Sequence, residues 1–491
     1  MIPDLPIDVW LYTVQFIPED ELDRLLSLNS LFFHLVMQKR YREVFIDYMN
    51  AKAMRRLSRL KDPFVAQLAR VLHMRLSFPL PVQSRVSPSR PTTPTLHERV
   101  RSVVNYFMGY WLPSEKSQPS PPTNVPSLDE VASIFPALVN LDEFTVFFSN
   151  VPDLIDMVPF FASAWTTFGH RLRKLSLGGD LDGFKRFLLT QPDLSSLEEL
   201  SLEFPRQFSE NTNSASILVD HVAPFTNRLA SQLRFLRIWC WMDVGISSYL
   251  KLLGPFPNLQ TISCMGPFNR AFLDDGTGIF HFLTQTQQLQ NLELRLNPAG
   301  VRINPLAESQ LVRWLSDCAS TSKVFNNLQS LQLYPTNRPE GMNVMLKCVQ
   351  QSLHSLTALS IRDRYLHTEE IRTLATALKD STELTFLRMN VWMMNIELFD
   401  VLSHALPHLR RLSLYLSDVG SFPADTGELQ EMLQEREYTE WKLVDFGIWC
   451  GGHELDIDTM KAIAQRIPTV KSFWGGGEHS IFPVLYGNPF P

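Results

Sequence analysis

The chain is poor in the features that would place it outside a cell or within a membrane. Its five cysteines (Cys240, Cys264, Cys318, Cys348 and Cys450) are odd in number and form no C-x-x-C pair, which argues against both a disulfide framework and a four-cysteine zinc site. There is no Asn-x-Ser/Thr acceptor for N-glycosylation. No apolar run reaches the ~18 residues needed to span a bilayer. Acids at Asp4 and Asp8 stand where a secretory leader would carry bases. Together these gaps fit a reducing compartment, and an intracellular protein, cytoplasmic and/or nuclear, is expected. Charge of one sign is lacking too: 45 basic residues against 51 acidic ones give a net charge of −6. Without a sustained basic run to follow a phosphate backbone, nucleic acid is not expected as a partner, and neither is a membrane.

Chemistry-bearing motifs are equally sparse. No H-E-x-x-H occurs among the 12 histidines. GGGEH at 475–479 lacks the Lys and Ser/Thr of a phosphate loop, and DDGTG at 274–278 has too few oxygen ligands for a calcium loop. Cys450 and His453, within WCGGHELD at 449–456, are neighbours in sequence, whereas catalytic pairs are usually assembled by the fold; the string reads as a turn. The expectation is a protein with no catalytic residue, no metal and no cofactor.

What the chain does have is a recurring apolar spacing, L-x-x-L-x-L. It appears as LDEFTV (from Leu141), LRKLSL (Leu172), LEELSL (Leu197), LRFLRI (Leu233), LQTISC (Leu259), LQNLEL (Leu289), LQSLQL (Leu328), LTALSI (Leu356), LTFLRM (Leu384), LRRLSL (Leu409) and WKLVDF (Trp441). Val470 and Phe473 suggest a truncated twelfth copy. The anchors lie between 25 (172 to 197) and 39 (289 to 328) residues apart, a period of roughly 30 that signals a repeat architecture. Segments such as EEIRTLATAL and IELFDVLSHAL lie between the anchors and carry apolar residues three and four apart, as an amphipathic helix does. Several of these run into an apolar-Pro-x-apolar junction (FPAL at 135–138, FPNL at 256–259, LPHL at 406–409, IPTV at 467–470), where proline disfavours helix in the residue before it. A further strand is expected near Val71 to Leu76.

Over roughly residues 130 to 475 the pattern resembles the leucine-rich-repeat family. The resemblance implies an α/β solenoid with a parallel sheet on its concave side and helices on its convex side. The Asn or Cys that usually follows the motif is matched only by Asn297, so an irregular solenoid is expected. In each strand the motif leucines point to the core and the alternate residues point out onto the sheet face. Those alternates include Phe235, Arg237, Trp239, Arg295, Tyr334, Arg362, Arg388 and Tyr415. Arginine and aromatic residues are enriched at binding hot spots, which makes this face the candidate surface for a protein target of unknown identity.

The opening residues read differently. Asp8 to Phe16, Asp20 to Ser27 and Asn29 to Met37 are expected as three short helices, with Pro6 and Pro18 at the joins. They carry more large apolar groups than so short a segment can enclose, and below ~40 residues a chain usually needs a partner to fold. Leu5, Pro6, Asp8, Val9, Phe16, Ile17, Pro18, Glu21, Leu22, Leu25, Leu28 and Phe32 fall in the order and spacing that resemble the F-box family. That resemblance implies docking on a Skp-type adapter of a cullin-RING ubiquitin ligase, through Leu5, Pro6, Val9, Phe16, Ile17, Pro18, Leu22, Leu25, Leu28 and Phe32.

The expected organisation is an F-box at 1–48, a helical connector with two Pro/Ser-rich stretches at 49–127, the repeats at 128–480 and a tail at 481–491. Two functions compete: a substrate-recognition subunit of an SCF-type ligase, and a repeat scaffold unrelated to ubiquitin whose first helices merely cap it.

Overall fold

The structure is a computed structural model that describes residues 7–14, 16–17, 19–25, 30–46, 51–77, 128–149, 156–205, 214–241, 246–266, 277–286, 288–296, 305–321, 324–416, 426–449 and 457–473. Leu5, Pro6, Pro18, Leu28, Asn297, Cys450, His453, GGGEH and both Pro/Ser-rich stretches lie outside the described residues, as does most of DDGTG.

The spacing of the leucines dictates the strands. In ten motifs the strand begins two residues after the anchor: β3 Glu143–Ser149, β4 Lys174–Gly179, β5 Glu199–Phe204, β6 Phe235–Cys240, β7 Thr261–Met265, β8 Asn291–Arg295, β9 Ser330–Leu333, β10 Ala358–Leu366, β11 Phe386–Val391 and β12 Arg411–Leu416. β13, Asp445–Trp449, shifts the eleventh anchor from Trp441 to Leu443, so that Leu443, Phe446 and Ile448 carry the motif. Trp441 is instead a buried core residue whose indole donates to the Leu406 carbonyl at 3.1 Å. Two strands precede the clear motifs: β1 Glu43–Ile46, which the sequence reading missed, and β2 Val71–Ser77. Among the described residues thirteen strands follow one another in chain order, and the protein is α/β with a parallel sheet and intervening helices.

The chain forms two compact units, Met1–Leu200 and Ser201–Pro491, with β5 spanning the boundary in sequence. In the first, β1 to β4 pair in parallel, and the helices Val158–Phe168 and Leu181–Leu189 follow β3 and β4. Their core is aromatic: Phe144, Phe148, Phe161, Trp165, Phe168, Phe184 and Phe187 are buried and meet mainly edge to face. Gly179, at φ +150°, passes the Phe148 carbonyl so closely that a Cβ there would lie 2.1 Å from the oxygen.

In the second unit β6 to β13 pair in parallel, with consecutive register except between β10 and β11. The motif leucines are sealed in the core, and each contributes roughly 1.5–3 kcal/mol by leaving water. Ser and Thr hydroxyls reach back one repeat. Ser355 Oγ donates to the Leu328 carbonyl, Ser381 Oγ to that of Leu353, Thr357 Oγ1 to that of Gln329 (2.9 Å each) and Thr385 Oγ1 to that of Thr357 (3.2 Å). Thus hydroxyls next to the anchors Leu356 and Leu384 bond carbonyls of the preceding repeat.

Candidate functional site

At the amino-terminal end of the first unit, three helices are present: α1 Ile7–Val14, α2 Glu19–Arg24 and α3 Ser30–Arg42. Leu22, Phe32 and Val36 form their core, with Trp10, Val14, Ile17 and Leu25 packed around it. Leu22 and Phe32, expected on a docking surface, are 6% and 1% exposed and hold the helices to one another. The outward groups are Val9, Tyr12 and Phe16, which are 40%, 64% and 68% exposed. Val9 and Tyr12 lie three residues apart on α1, and Phe16, two residues past its end, meets Tyr12 edge to face at 5.0 Å. At its other end α3 runs directly into β1, and Phe33 stacks on Phe64 at 6.0 Å.

The second candidate surface lies wholly within the second unit. Register places Arg237, Ser263, Glu293, Gln332, Ser360, Arg388 and Ser413 in one row across β6 to β12, on the face opposite the motif leucines. Glu293 is buried at the centre of that row and is well satisfied. It accepts from Ser263 Oγ at 2.5 Å and from Gln332 Nε2, while Ser263 Oγ also accepts from the Trp239 indole at 3.1 Å. At the β6 end, the Arg237 guanidinium lies 5.3 Å from the Phe235 ring and 4.5 Å from Trp239, a cation–π arrangement that packs all three together.

β10 carries the irregularity that shapes the rest. Ser360 pairs with Arg388, but the next paired residues are Tyr365 and Asn390, so β10 spends five residues where β11 spends two. The three extra residues form a bulge around Asp363, whose φ of 61° is left-handed. The bulge brings Asp363 to Arg295, which donates to Oδ2 through Nε at 3.0 Å and through a terminal nitrogen at 2.5 Å. Just beyond, Arg364 pairs with Glu370 and donates to the carbonyls of Thr336 and Arg338.

Arg362 and Arg388 are treated otherwise. Arg362 is 7% exposed, and the acids whose charges act on it are Asp363 and Glu293. Burial, and next the charge of Arg295, push its pKa down. Arg388 stacks over the Tyr415 ring at 4.1 Å with its Nε buried and unpartnered. Burial and the neighbouring Arg362 push it down to about 9. Beside them the Ser360 hydroxyl is also buried without a partner. Tyr415 in turn stacks on Trp449 at 5.8 Å.

Of the residues expected on this face, the structure therefore gathers Arg295, Arg362, Arg388 and Tyr415, and sets Phe235, Arg237 and Trp239 in a separate cluster. Tyr334 does not belong. It is 2% exposed and its hydroxyl donates to Glu308 of the helix Pro305–Thr321 at 3.1 Å, because β9 ends at Leu333 and strand alternation stops there. Asp363 and Ser360 were missed by motif spacing; the unusual length of β10, nine residues, is the trace the bulge leaves. Among the described residues no group of three or more His, Cys, Asp or Glu could hold a metal, and no helix is long and apolar enough to cross a membrane.

Comparison with known proteins assigns no family. No family model matches the chain. No curated protein matches it. Among solved structures, a crystal structure of a Bacteroides fragilis protein from a structural genomics consortium is 14% identical. It covers 67% of this chain and 84% of its own, at a TM-score of 0.32, a likeness too slight to carry any argument about function.

Proposed function

We propose that the chain is a non-catalytic recruiting subunit of an SCF-type ubiquitin ligase. In this reading its first helices dock on a Skp-type adapter and the sheet face of the second unit takes a target protein. The observation that carries the proposal is the exposure of Val9, Tyr12 and Phe16, large apolar groups left in solvent within the segment that resembles an F-box. Burial of Leu22 and Phe32 confines the docking role to the residues around them. Catalysis would then be by proximity, with the subunit holding a target lysine near the charged ubiquitin carrier.

Co-purification with a Skp-type adapter tests this. Wild type is expected to bind, whereas Val9→Asp with Phe16→Asp, and separately Leu5→Ala with Pro6→Ala, are expected to lose the adapter. Binding by all three proteins, or by none, refutes the proposal.

A second reading has an observation of its own. The continuity of α3 with β1, and the Phe33–Phe64 stack, suit helices that cap a repeat scaffold unrelated to ubiquitin. That reading expects no adapter with any of the proteins.

A further inference from the structure

We propose that the face of β10 to β12 is a binding site for a phosphate-monoester dianion, gripped by Arg362 and Arg388 and assisted by the hydroxyl of Ser360. The proposal deepens the assignment of this face to target binding, on which it rests, while its test needs neither target nor adapter.

The local balance of charge is the argument. Each neighbouring acid already has its own donors: Glu293 has Ser263 and Gln332, Asp363 has Arg295, and Glu370 has Arg364. Apart from the Arg364–Glu370 pair, the three guanidinium groups of Arg295, Arg362 and Arg388 face the two carboxylates of Glu293 and Asp363; Arg362 is buried, and Arg388 is half-buried with its Nε closed off. A cation in excess at a largely buried site is costly unless an anion completes it. The planar fork of arginine suits the oxygens of phosphate, and a phosphate monoester, with nearly two charges at neutral pH, answers the one cation in excess. Ser360 Oγ is buried without a partner and sits opposite Arg388 in register, where it supplies a neutral donor. Tyr415 holds Arg388 from one side, which fixes the direction of its fork. Arg362 lies within the bulge of β10, two residues from Ser360.

The chemistry admits two carriers, a free small phosphate and a phosphorylated side chain. Full-length protein in buffer free of phosphate and sulfate is to be titrated with inorganic phosphate and with O-phosphoserine, following binding by calorimetry and melting temperature by scanning. Both probes are expected to bind and to raise the melting temperature. Tighter binding of O-phosphoserine than of inorganic phosphate would favour a phosphorylated side chain, and the reverse a free phosphate. Arg362→Met and Arg388→Met should each weaken binding about ten- to a hundredfold, the loss expected for hydrogen bonds to charged groups.

Without any anion, those same variants should melt at or above the wild-type temperature, since each removes the cation in excess. Phosphate, whose second pKa is near 6, should bind less well at pH 5 than at pH 7, whereas sulfate should not. Wild type that binds neither probe overturns the proposal, as does a pair of variants that lower the melting temperature in anion-free buffer. Should either Met variant fail to fold, Arg362→Lys keeps the charge and loses the fork: weaker phosphate binding supports the proposal, and unchanged binding overturns it. Anion binding without adapter co-purification would leave the site standing and the ligase reading refuted.

Discussion

At the scale of single residues, burial governs what the side chains can do. Cys264, Cys318 and Cys348 sit in the core, and burial pushes each thiol up to about 12 from an ordinary value of 9.0. At pH 8 they should be protonated and inert. Native protein should therefore resist iodoacetamide at these three positions, and mass spectrometry should find them modified only after unfolding in urea; modification in the native state would contradict the packing. Their ionisation acts on stability with a definite sign. Between about 9 and about 12 the folded chain keeps protons that the unfolded chain has released, so the thiol contribution is complete below 9 and is lost as pH rises. Arg388 acts in the opposite sense, since its folded value of about 9 lies below 12.5 and the unfolded chain is the one that keeps the proton. Alternation along each strand made Arg237, Arg295 and Arg388 legible as outward residues. Their partners were not legible, because Asp363 lies 68 residues from Arg295 in the chain and only register joins them. Leu22 and Phe32 misled for a different reason: an apolar residue on a short helix reads the same whether it faces a partner protein or the neighbouring helix.

At the scale of elements, the anchor leucine proved a reliable ruler, since strands begin two residues after it, and the exceptions are physical. β1 was invisible because only Val44 and Ile46 mark it, and the eleventh strand was misplaced because Trp441 outweighs Leu443 in apolar bulk while serving a helix-side core. Helix ends carry local signals that can be tested. Asp180 caps the helix Leu181–Leu189 by accepting from the Gly183 amide at 2.7 Å, and Asp180→Ala should cost about 1 kcal/mol in urea unfolding. At the start of the helix Thr277–Thr284, a Cβ on Gly278 would lie 1.9 Å from the Ser247 carbonyl oxygen, which belongs to the helix Ile246–Lys251. Gly278→Ala should cost about 1–3 kcal/mol, because backbone must move rather than a side chain. A cost below the error of the measurement would show that these two helices sit farther apart.

At the scale of the whole molecule, repetition was legible and specificity was not. Eleven motifs announce stacked strands and helices, but nothing in their spacing states what the sheet face binds, because the residues that decide it are the ones repetition leaves free. The test at this scale is functional. Proximity labelling in cells should give a changed set of neighbours for an Arg237→Glu, Arg388→Glu variant if the face of the second unit recruits a target, and an unchanged set would send the search elsewhere. The bulge in β10 matters here as well. A parallel stack of repeats is a lattice of side chains, and three surplus residues in one row act on it as a dislocation acts in a crystal. Three is odd, yet Tyr365 comes level with Asn390, two residues beyond Arg388. A point change alters one site of such a lattice, whereas deleting Asp363 would remove the acid that pairs with Arg295 and cut the surplus to two, with Tyr365 then four residues from Ser360 and on the same face as before. The fault line is therefore where the stack absorbs a change of length without turning the residues beyond it.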